Sequence, residues 1–217
     1  MTASAAPPDV SAGPPPITVG AVLFDGFELL DMFGPLEMFG MLEGRARILM
    51  LAQAPGAVRS HQGPSCVAES ALAAAPALDV LLVPGGMGTR RELSNGPFLD
   101  ELRLQAGKAR FVASVCTGSI LLANAGLLDG RSATSNKRVF KMVASRWPAV
   151  HWVAEARWVE DGKFFTSSGV SAGMDMALGL IAHLTDWDTS LEVANRAEYE
   201  WHQDKGWDPF ARLNGLL

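Results

Sequence analysis

Short apolar runs alternate with longer amphipathic segments along the chain, and this pattern predicts strands that alternate with helices. Apolar or β-branched runs that are typical of buried strands occupy residues 17–24, 46–52, 79–83, 110–115 and, more briefly, 131–134. Helices are predicted at residues 28–42, 90–107, 117–125, 136–147, 171–184 and 189–201. We expect Gly34-Pro35 to interrupt the first helix early and Ser171 to be the N-cap of the fifth.

Two further segments predict antiparallel hairpins. A small one is expected within residues 57–70, and a clearer one at Asp161-Gly162, between extended runs at residues 152–160 and 163–167. Together the elements favour an α/β sandwich in which helices cover both faces of a mostly parallel sheet. Ligands bind such sheets outside the carboxyl ends of the strands, so we expect functional residues there.

Composition divides the chain into a short tail and one domain. Residues 1–16 hold five of the 13 prolines, with alanine, serine and glycine between them, so they have little apolar surface to bury. We interpret this stretch as a disordered tail whose deletion leaves stability and activity unchanged. Residues 17–217 are long enough for a single domain with a sizeable core, since 48% of the chain is apolar.

Charge and cysteine content exclude several classes of protein. The 18 basic and 23 acidic residues give a net charge of −5 without a block of like charges, which disfavours nucleic-acid binding. Apolar runs fall short of the roughly 18–20 residues that span a bilayer, and the N terminus does not resemble a secretory signal. Two cysteines, Cys66 and Cys116, are too few for a disulfide framework or a zinc ribbon. We therefore expect a cytoplasmic protein with free thiols, no metal and no membrane contact.

Cys116 stands where a buried strand runs directly into a helix. This bend resembles the nucleophile elbow of hydrolases, which strains the backbone and aims the side chain into a cleft. The positive end of the following helix favours the thiolate, so we expect Cys116 to be more acidic than Cys66. The alternative is a small buried thiol without a role, which is our expectation for Cys66.

Two other strand ends offer partners for this sulfur. Residues 84–88 (PGGMG) are rich in glycine, but they lack the lysine and hydroxyl of a nucleotide loop. Backbone N–H groups there could instead face a developing negative charge, although a plain tight turn is the simpler alternative. Asp31 lies in an apolar stretch, where burial would raise its pKa and suit a general acid; a helix N-cap is the alternative.

The histidines do not predict a hydrolase triad. None of the four lies between residues 62 and 150, so a pair with Cys116 would have to form across the fold, from His61 or His151. All six tryptophans lie between residues 147 and 207. Trp201 and Trp207, with His202 and Phe210, could line a pocket mouth or a subunit interface.

These motifs together resemble the ThiJ/PfpI superfamily, relatives of the class I glutamine amidotransferases, and within it the isonitrile hydratases. The resemblance extends from about Ile17 to about Tyr199. It rests on residues 30–35 (LDMFGP), 84–88 (PGGMG), 114–119 (SVCTGS), 125–130 (AGLLDG) and 169–175 (GVSAGMD). The resemblance implies a flavodoxin-like three-layer sandwich, a homodimer and no cofactor.

The resemblance also implies the roles of particular residues. Cys116 would be the nucleophile and Asp31 its acidic partner, the backbone at Gly86 and Met87 would line an anion site, and Thr117 would contact substrate or water. Thr117 occupies the place of the histidine that follows the cysteine in the protease-like branch, which argues against peptidase activity. Asn136 departs from the hydratase pattern, in which a histidine is expected at this position.

The activity implied is the hydration of a small-molecule isonitrile to an N-substituted formamide through a thioimidate on Cys116. Two alternatives are a glyoxalase or deglycase-like activity on 2-oxoaldehydes, which would use the same thiol, and a redox- or ligand-sensing domain without catalysis. The isonitrile substituent is left open by the sequence.

Overall fold

A computed structural model describes residues 15–217, so the predicted tail at residues 1–16 lies almost entirely outside the described residues. Pro15 and Pro16 are exposed and precede the first strand. The strands are β1 Ile17–Val22, β2 Ala46–Ala52, β3 Gly56–Arg59, β4 Ser65–Ala68, β5 Ser70–Ala71, β6 Val80–Val83, β7 Phe111–Val115, β8 Ser132–Ala133, β9 His151–Trp152, β10 Trp158–Asp161 and β11 Phe164–Ser167. The helices are α1 Leu29–Gly40, α2 Thr89–Glu92, α3 Gly96–Lys108, α4 Gly118–Asn124, α5 Phe140–Arg146, α6 Ala172–Leu184, α7 Trp187–Arg196 and α8 Pro209–Leu213.

The central sheet has seven strands in the order β10-β11-β7-β6-β1-β2-β5. Its strands run parallel except β10, which pairs antiparallel with β11. The middle strands β6 and β7 are buried along their whole length, as expected for parallel strands covered by helices on both faces. The predicted α/β fold with a mostly parallel sheet is confirmed.

Both predicted hairpins are present. β3 pairs antiparallel with β4, and β10 with β11 across Asp161-Gly162. The short run at residues 131–134 does form a strand, but among the described strands β8 pairs only with β9, outside the central sheet.

Several helix boundaries differ from the sequence prediction. α1 continues through Pro35 without interruption, and Gly34 and Pro35 pack closely against α6. The predicted helix at residues 90–107 is two helices, since Asn95 caps a new one: its side chain accepts a hydrogen bond from the Phe98 N–H at 3.2 Å. α5 begins at Phe140, four residues late, so Asn136 lies in the loop before it.

The C-terminal segment also differs. α7 ends at Arg196 rather than at Trp201, and α8 follows after an irregular stretch. Ser171 is the N-cap residue of α6 as expected, but its hydroxyl forms no capping hydrogen bond. Between residues 15 and 217 we find no helix of the length and apolarity that a membrane span requires.

Candidate active site

Cys116 occupies a strained bend between β7 and α4. Its φ angle is +58°, in the left-handed region that side chains other than glycine rarely adopt. The Cys116 N–H donates to the carbonyls of Ser167 (3.1 Å) and Ser168 (3.3 Å), and its own carbonyl accepts from the hydroxyls of Ser119 (3.0 Å) and Ser135 (3.1 Å). Four contacts to backbone atoms thus hold the bend, which confirms the predicted elbow.

Glycines bring the neighbouring chain segments close to this bend. A Cβ atom at Gly118 would collide with the carbonyl oxygen of Val83 and lie 2.8 Å from that of Pro84, so the first turn of α4 rests directly on the end of β6. A Cβ at Gly85 would lie 2.6 Å from the Thr117 nitrogen and 2.8 Å from Oδ2 of Asp31. The ends of β6 and β7 can approach each other only because these positions lack side chains.

Asp31 lies beneath the elbow, in the first turn of α1, and is fully buried. Its Oδ2 accepts a hydrogen bond from the Gly85 N–H at 3.0 Å, while Oδ1 has no hydrogen-bond partner among residues 15–217. The N-cap position of α1 is Glu28, and the Asp31 carboxylate accepts from no N–H of its own helix. The helix-cap alternative is therefore wrong.

Burial raises the pKa of the Asp31 carboxyl from 3.8 to about 8, and the nearby Glu28 contributes in the same direction. The Gly85 hydrogen bond and the contact with the Cys116 thiol oppose this rise but do not cancel it. Asp31 is therefore mostly protonated at neutral pH. Such a carboxyl can give a proton to a ligand in contact with the sulfur, as the sequence analysis expected.

The Cys116 thiol does not have the low pKa that the elbow predicts. Burial raises this pKa far above its ordinary range, and the Asp31 carboxylate raises it further. The Asn136 side chain and the Thr117 N–H act in the opposite direction, but more weakly. The expectation that Cys116 is more acidic than Cys66 is wrong, because Cys116 is only 6% exposed and its neighbour Asp31 is acidic.

Asn136 contacts the sulfur directly, and the sequence analysis noted it only as a departure from the family pattern. Its Nδ2 donates to Sγ of Cys116 at 3.1 Å, while its Oδ1 accepts from the Arg138 N–H at 2.9 Å, which orients the amide. The adjacent Lys137 is buried and donates to the carbonyl of Ala156 at 2.6 Å, so the loop is fixed at that point. The signal in the sequence was its position, twenty residues after the cysteine.

The predicted anion site is partly occupied by the protein itself. The Gly86 N–H donates to Oγ1 of Thr117 at 3.0 Å, so it is not free to bind a ligand. The Met87 N–H has no hydrogen-bond partner among the described residues, and the Met87 side chain is 47% exposed. Gly86, Met87 and Thr117 all lie beside Cys116, as expected, but Met87 offers the freer donor.

An open cleft of about 800 Å³ is lined by Cys116, Gly86, Met87, Thr117 and Asn136, among other residues. His61 lies on its wall and makes no hydrogen bond to Cys116, and His151 does not line it. Within the described part of the chain, no group of three or more His, Cys, Asp or Glu residues is placed to hold a metal ion. Cys66 lies in β4, outside the cleft.

The motif at residues 169–175 has two separate roles. Gly169 packs against the sulfur, where a Cβ would lie 3.0 Å from Sγ of Cys116. Asp175 is buried and forms an ion pair with Arg157 (2.6 Å), while it also accepts from the Tyr199 hydroxyl and the His202 N–H, each at 2.9 Å. The second half of the motif therefore fastens the C-terminal segment and does not reach the cleft.

The aromatic cluster near the C terminus is not a pocket mouth. Trp201 is buried, donates to the carbonyl of Asp175 at 3.1 Å and lies beside Trp187, with ring centroids 4.6 Å apart. Trp207 and Phe210 are exposed, and neither lines the cleft. That alternative of the sequence analysis is wrong, and the subunit interface stays a prediction.

Comparison with known proteins identifies relatives of several kinds. Residues 18–183 match the profile of the DJ-1/PfpI family. An isonitrile hydratase of Pseudomonas putida is 41% identical over 125 residues, which is 57% of this chain and 53% of that protein. The HTH-type transcriptional regulator GbdR of Pseudomonas aeruginosa is 34% identical over 126 residues, 58% of this chain and 34% of the regulator. The match thus spans about half of the length of the hydratase and about a third of the length of the regulator.

Solved structures show the same architecture. A ThiJ/PfpI family protein from Pseudomonas syringae superimposes with a TM-score of 0.79 at 32% identity, over 92% of this chain and 82% of that one. A cysteine-to-alanine mutant of a DJ-1 superfamily protein from Salmonella typhimurium gives a TM-score of 0.73 at 25% identity, over 85% of this chain and 100% of that one. Both likenesses extend over most of this chain.

Proposed function

Since the chain belongs to the DJ-1/PfpI family, we propose that it is an isonitrile hydratase in which Cys116 is the nucleophile and Asp31 the proton donor. The observation that carries the proposal is the contact between a protonated, buried carboxyl and the sulfur of a strained cysteine. The similarity to the Pseudomonas putida enzyme supports it and supplies the reaction type.

The first half of the reaction adds the thiol across the isonitrile carbon. The Asp31 carboxyl gives its proton to the terminal carbon of R–N≡C, sulfur forms a bond to that carbon, and the thiol proton passes to the Asp31 carboxylate. The product is the thioimidate R–N=CH–S–Cys116, with the carboxyl protonated again. A thiol that keeps its proton until the substrate binds is compatible with this order of steps, because the proton leaves the sulfur only as the carbon–sulfur bond forms.

The second half releases the product. Asp31 protonates the thioimidate nitrogen and its carboxylate then accepts a proton from the attacking water, which gives R–NH–CH(OH)–S–Cys116. Loss of sulfur leaves the formamide R–NH–CHO, and the hydroxyl proton returns to the thiolate by way of Asp31. Donors from Asn136 and the Thr117 N–H stabilise the departing sulfur, and the Met87 N–H can bind the oxygen.

A second candidate is a ligand-sensing role. It is favoured by the 34% identity to a transcriptional regulator. The match covers about a third of that protein, so a related domain is part of a regulator. In that role the cleft binds a small molecule and Cys116 performs no turnover. Measurement of product distinguishes the two candidates.

The test is a panel of isonitriles, with methylglyoxal as the 2-oxoaldehyde alternative. Formamide and hydroxy acid are followed by NMR for the wild type, Cys116→Ala and the matched control Cys66→Ala. We expect formamide from the wild type and Cys66→Ala, and a loss of at least about a thousandfold for Cys116→Ala. Trapping of a Cys116 adduct by mass spectrometry would support the thioimidate. Formamide production by Cys116→Ala at the wild-type rate would refute the mechanism.

A further inference from the structure

The cleft above Cys116 is positively charged, and the reaction proposed above does not use this charge. Arg90 of α2, Arg138 before α5 and Arg146 in the last turn of α5 line it. Glu28 is the only carboxylate among the described lining residues, and it is already engaged by the Gln62 amide. Since the chain as a whole carries a net charge of −5, average composition does not explain this local excess of positive charge.

These three arginines are also free of partners inside the protein. Among residues 15–217, none of them forms an ion pair or a side-chain hydrogen bond, so their charge is not neutralised by a neighbouring carboxylate. Arg146 lies over the ring of Trp147 at 5.1 Å, which leaves the edge of its guanidinium group available. Three guanidinium groups without an ion-pair partner that line one cleft favour an anionic ligand.

Much of the remaining lining of the cleft is apolar. Met87 and Met142 are each 47% exposed there. The other apolar lining residues are Leu93, Ile120, Val139, Trp147 and Val170. A ligand that fills this cleft would therefore place an apolar body against these side chains and reach the arginines with an anionic end.

We propose that the substrates are isonitriles in which an apolar spacer separates the isonitrile group from a carboxylate. This inference rests on the proposed function and specifies its substrate class. The carboxylate matches the fork of a guanidinium group, and a single negative charge is better tolerated beside Glu28 than a double one. The carboxylate takes no part in the chemistry: water adds to the isonitrile carbon, and the acid end stays unchanged.

The first test compares ω-isocyanoalkanoates of two to six methylene groups with their methyl esters. We expect the carboxylate to exceed the ester in kcat/KM by roughly ten- to a hundredfold at the best spacer length, the usual worth of a charged hydrogen bond. Arg90→Gln, Arg138→Gln and Arg146→Gln should each reduce this ratio. Arg110→Gln is the matched control, because Arg110 lies at the opposite end of β7 and its guanidinium group lies over Phe111 at 5.2 Å. An ester turned over as well as the acid at every spacer length would overturn the proposal.

A second measurement separates this inference from the proposed function. N-formyl-ω-aminoalkanoates and their methyl esters are titrated into the protein by calorimetry, which requires no turnover. Tighter binding of the acid, weakened by the glutamine variants but not by Arg110→Gln, supports the anionic substrate class even if no isonitrile is hydrated. Equal binding of acid and ester, or binding of neither, contradicts it.

Discussion

Cys116, Asp31 and Asn136 come from three separate segments, yet their polar atoms meet around one sulfur. Asp31 lies beneath it, and the Asn136 amide donates to it at 3.1 Å. Burial raises the pKa values of both the thiol and the carboxyl, which keeps both groups neutral before a ligand arrives. The proposed reaction therefore depends on transfer of protons between Asp31 and Cys116 and not on a preformed thiolate.

Replacement of Asp31 by asparagine should remove the proton donor while it keeps the shape of the side chain. We expect turnover of isonitrile to fall by about two to four powers of ten. The pKa of the Cys116 thiol should fall at the same time, because the carboxylate that raises it is gone. Steady-state kinetics and thiol titration check both results. An active variant would remove Asp31 from the mechanism.

The same variant should reveal the Asp31 titration in the pH dependence of stability. Below about pH 4 the carboxyl is protonated in the folded and unfolded states, so it has no effect. Between about pH 4 and the folded-state pKa of about 8, the Asp31 carboxyl is ionised in the unfolded chain but still protonated in the folded protein. The unfolding free energy of the wild type therefore falls as the pH rises through this interval. Asp31→Asn should thus gain stability relative to the wild type across this interval, measured by urea unfolding. A difference that is constant with pH would contradict the raised pKa.

Asn136→Ala should raise the pKa of the Cys116 thiol further, because it removes the side-chain donor to the sulfur. The measurement is the pH midpoint of Cys116 alkylation, followed by mass spectrometry of its peptide. The midpoint is preferred to the rate, since the smaller side chain also opens access. Asn214→Ala is the control, because within residues 15–217 the Asn214 side-chain amide donates only to the Phe210 carbonyl. An unchanged or lowered midpoint would contradict the role of Asn136.

Among the helices and strands, the site depends on the close approach of α1, α6 and the end of β7. A Cβ at Gly173 would lie 2.8 Å from Val115 and 3.1 Å from Pro35, and one at Gly34 would lie 2.9 Å from Met174. Val115 precedes Cys116, and Asp31 lies one turn before Pro35. The packing of α6 therefore sets the relative positions of the nucleophile and the acid.

Gly173→Ala should destabilise the protein by about 1–3 kcal/mol, the usual cost of overpacking a core. Gly107→Ala is the matched control, because Gly107 is also helical, in α3, and no atom of the described residues lies within 4 Å of its missing Cβ. There the added methyl group should stabilise by about 0.5–1 kcal/mol. Urea unfolding of both variants tests the prediction. If the unfolding free energy rises in both, the stability of Gly173→Ala is set by backbone entropy and not by packing.

Across the molecule as a whole, a buried ion pair joins the C-terminal segment to the core. Arg157, just before β10, donates to the carboxylate of Asp175 in α6. The same carboxylate accepts hydrogen bonds from the Tyr199 hydroxyl and the His202 N–H. Asp208 lies 3.9 Å from the same arginine. Three distant parts of the chain thus depend on one buried carboxylate.

Asp175→Ala should cost about 3–5 kcal/mol, because it leaves the Arg157 guanidinium buried without its main partner. Asp100→Ala is the control: its pair with Arg103 is exposed, so the change should stay within about 0.5 kcal/mol. Hydrogen exchange should also show faster opening of residues 199–208 in Asp175→Ala. A loss as small as that of the control would show that the buried pair contributes little.

Features that depend on local patterns could be predicted from the amino-acid sequence alone. Apolar runs located β1, β2, β6 and β7, and the strand-to-helix junction located the bend at Cys116, because burial and turn chemistry are written in adjacent residues. The place of Asp31 next to the nucleophile followed from the family resemblance, and its high pKa followed from its apolar surroundings. The roles of Cys116 and Asp31 in catalysis stay predictions.

Features that depend on contacts between distant segments required the folded chain. The sequence indicated a thiolate at Cys116, but burial beside Asp31 reverses the direction of its pKa shift. The donor from Asn136, the structural use of Asp175 and the convergence of three arginines on the cleft are likewise invisible along the chain. Desolvation and charge act through space, so they are fixed only when the sheet brings the ends of its strands together.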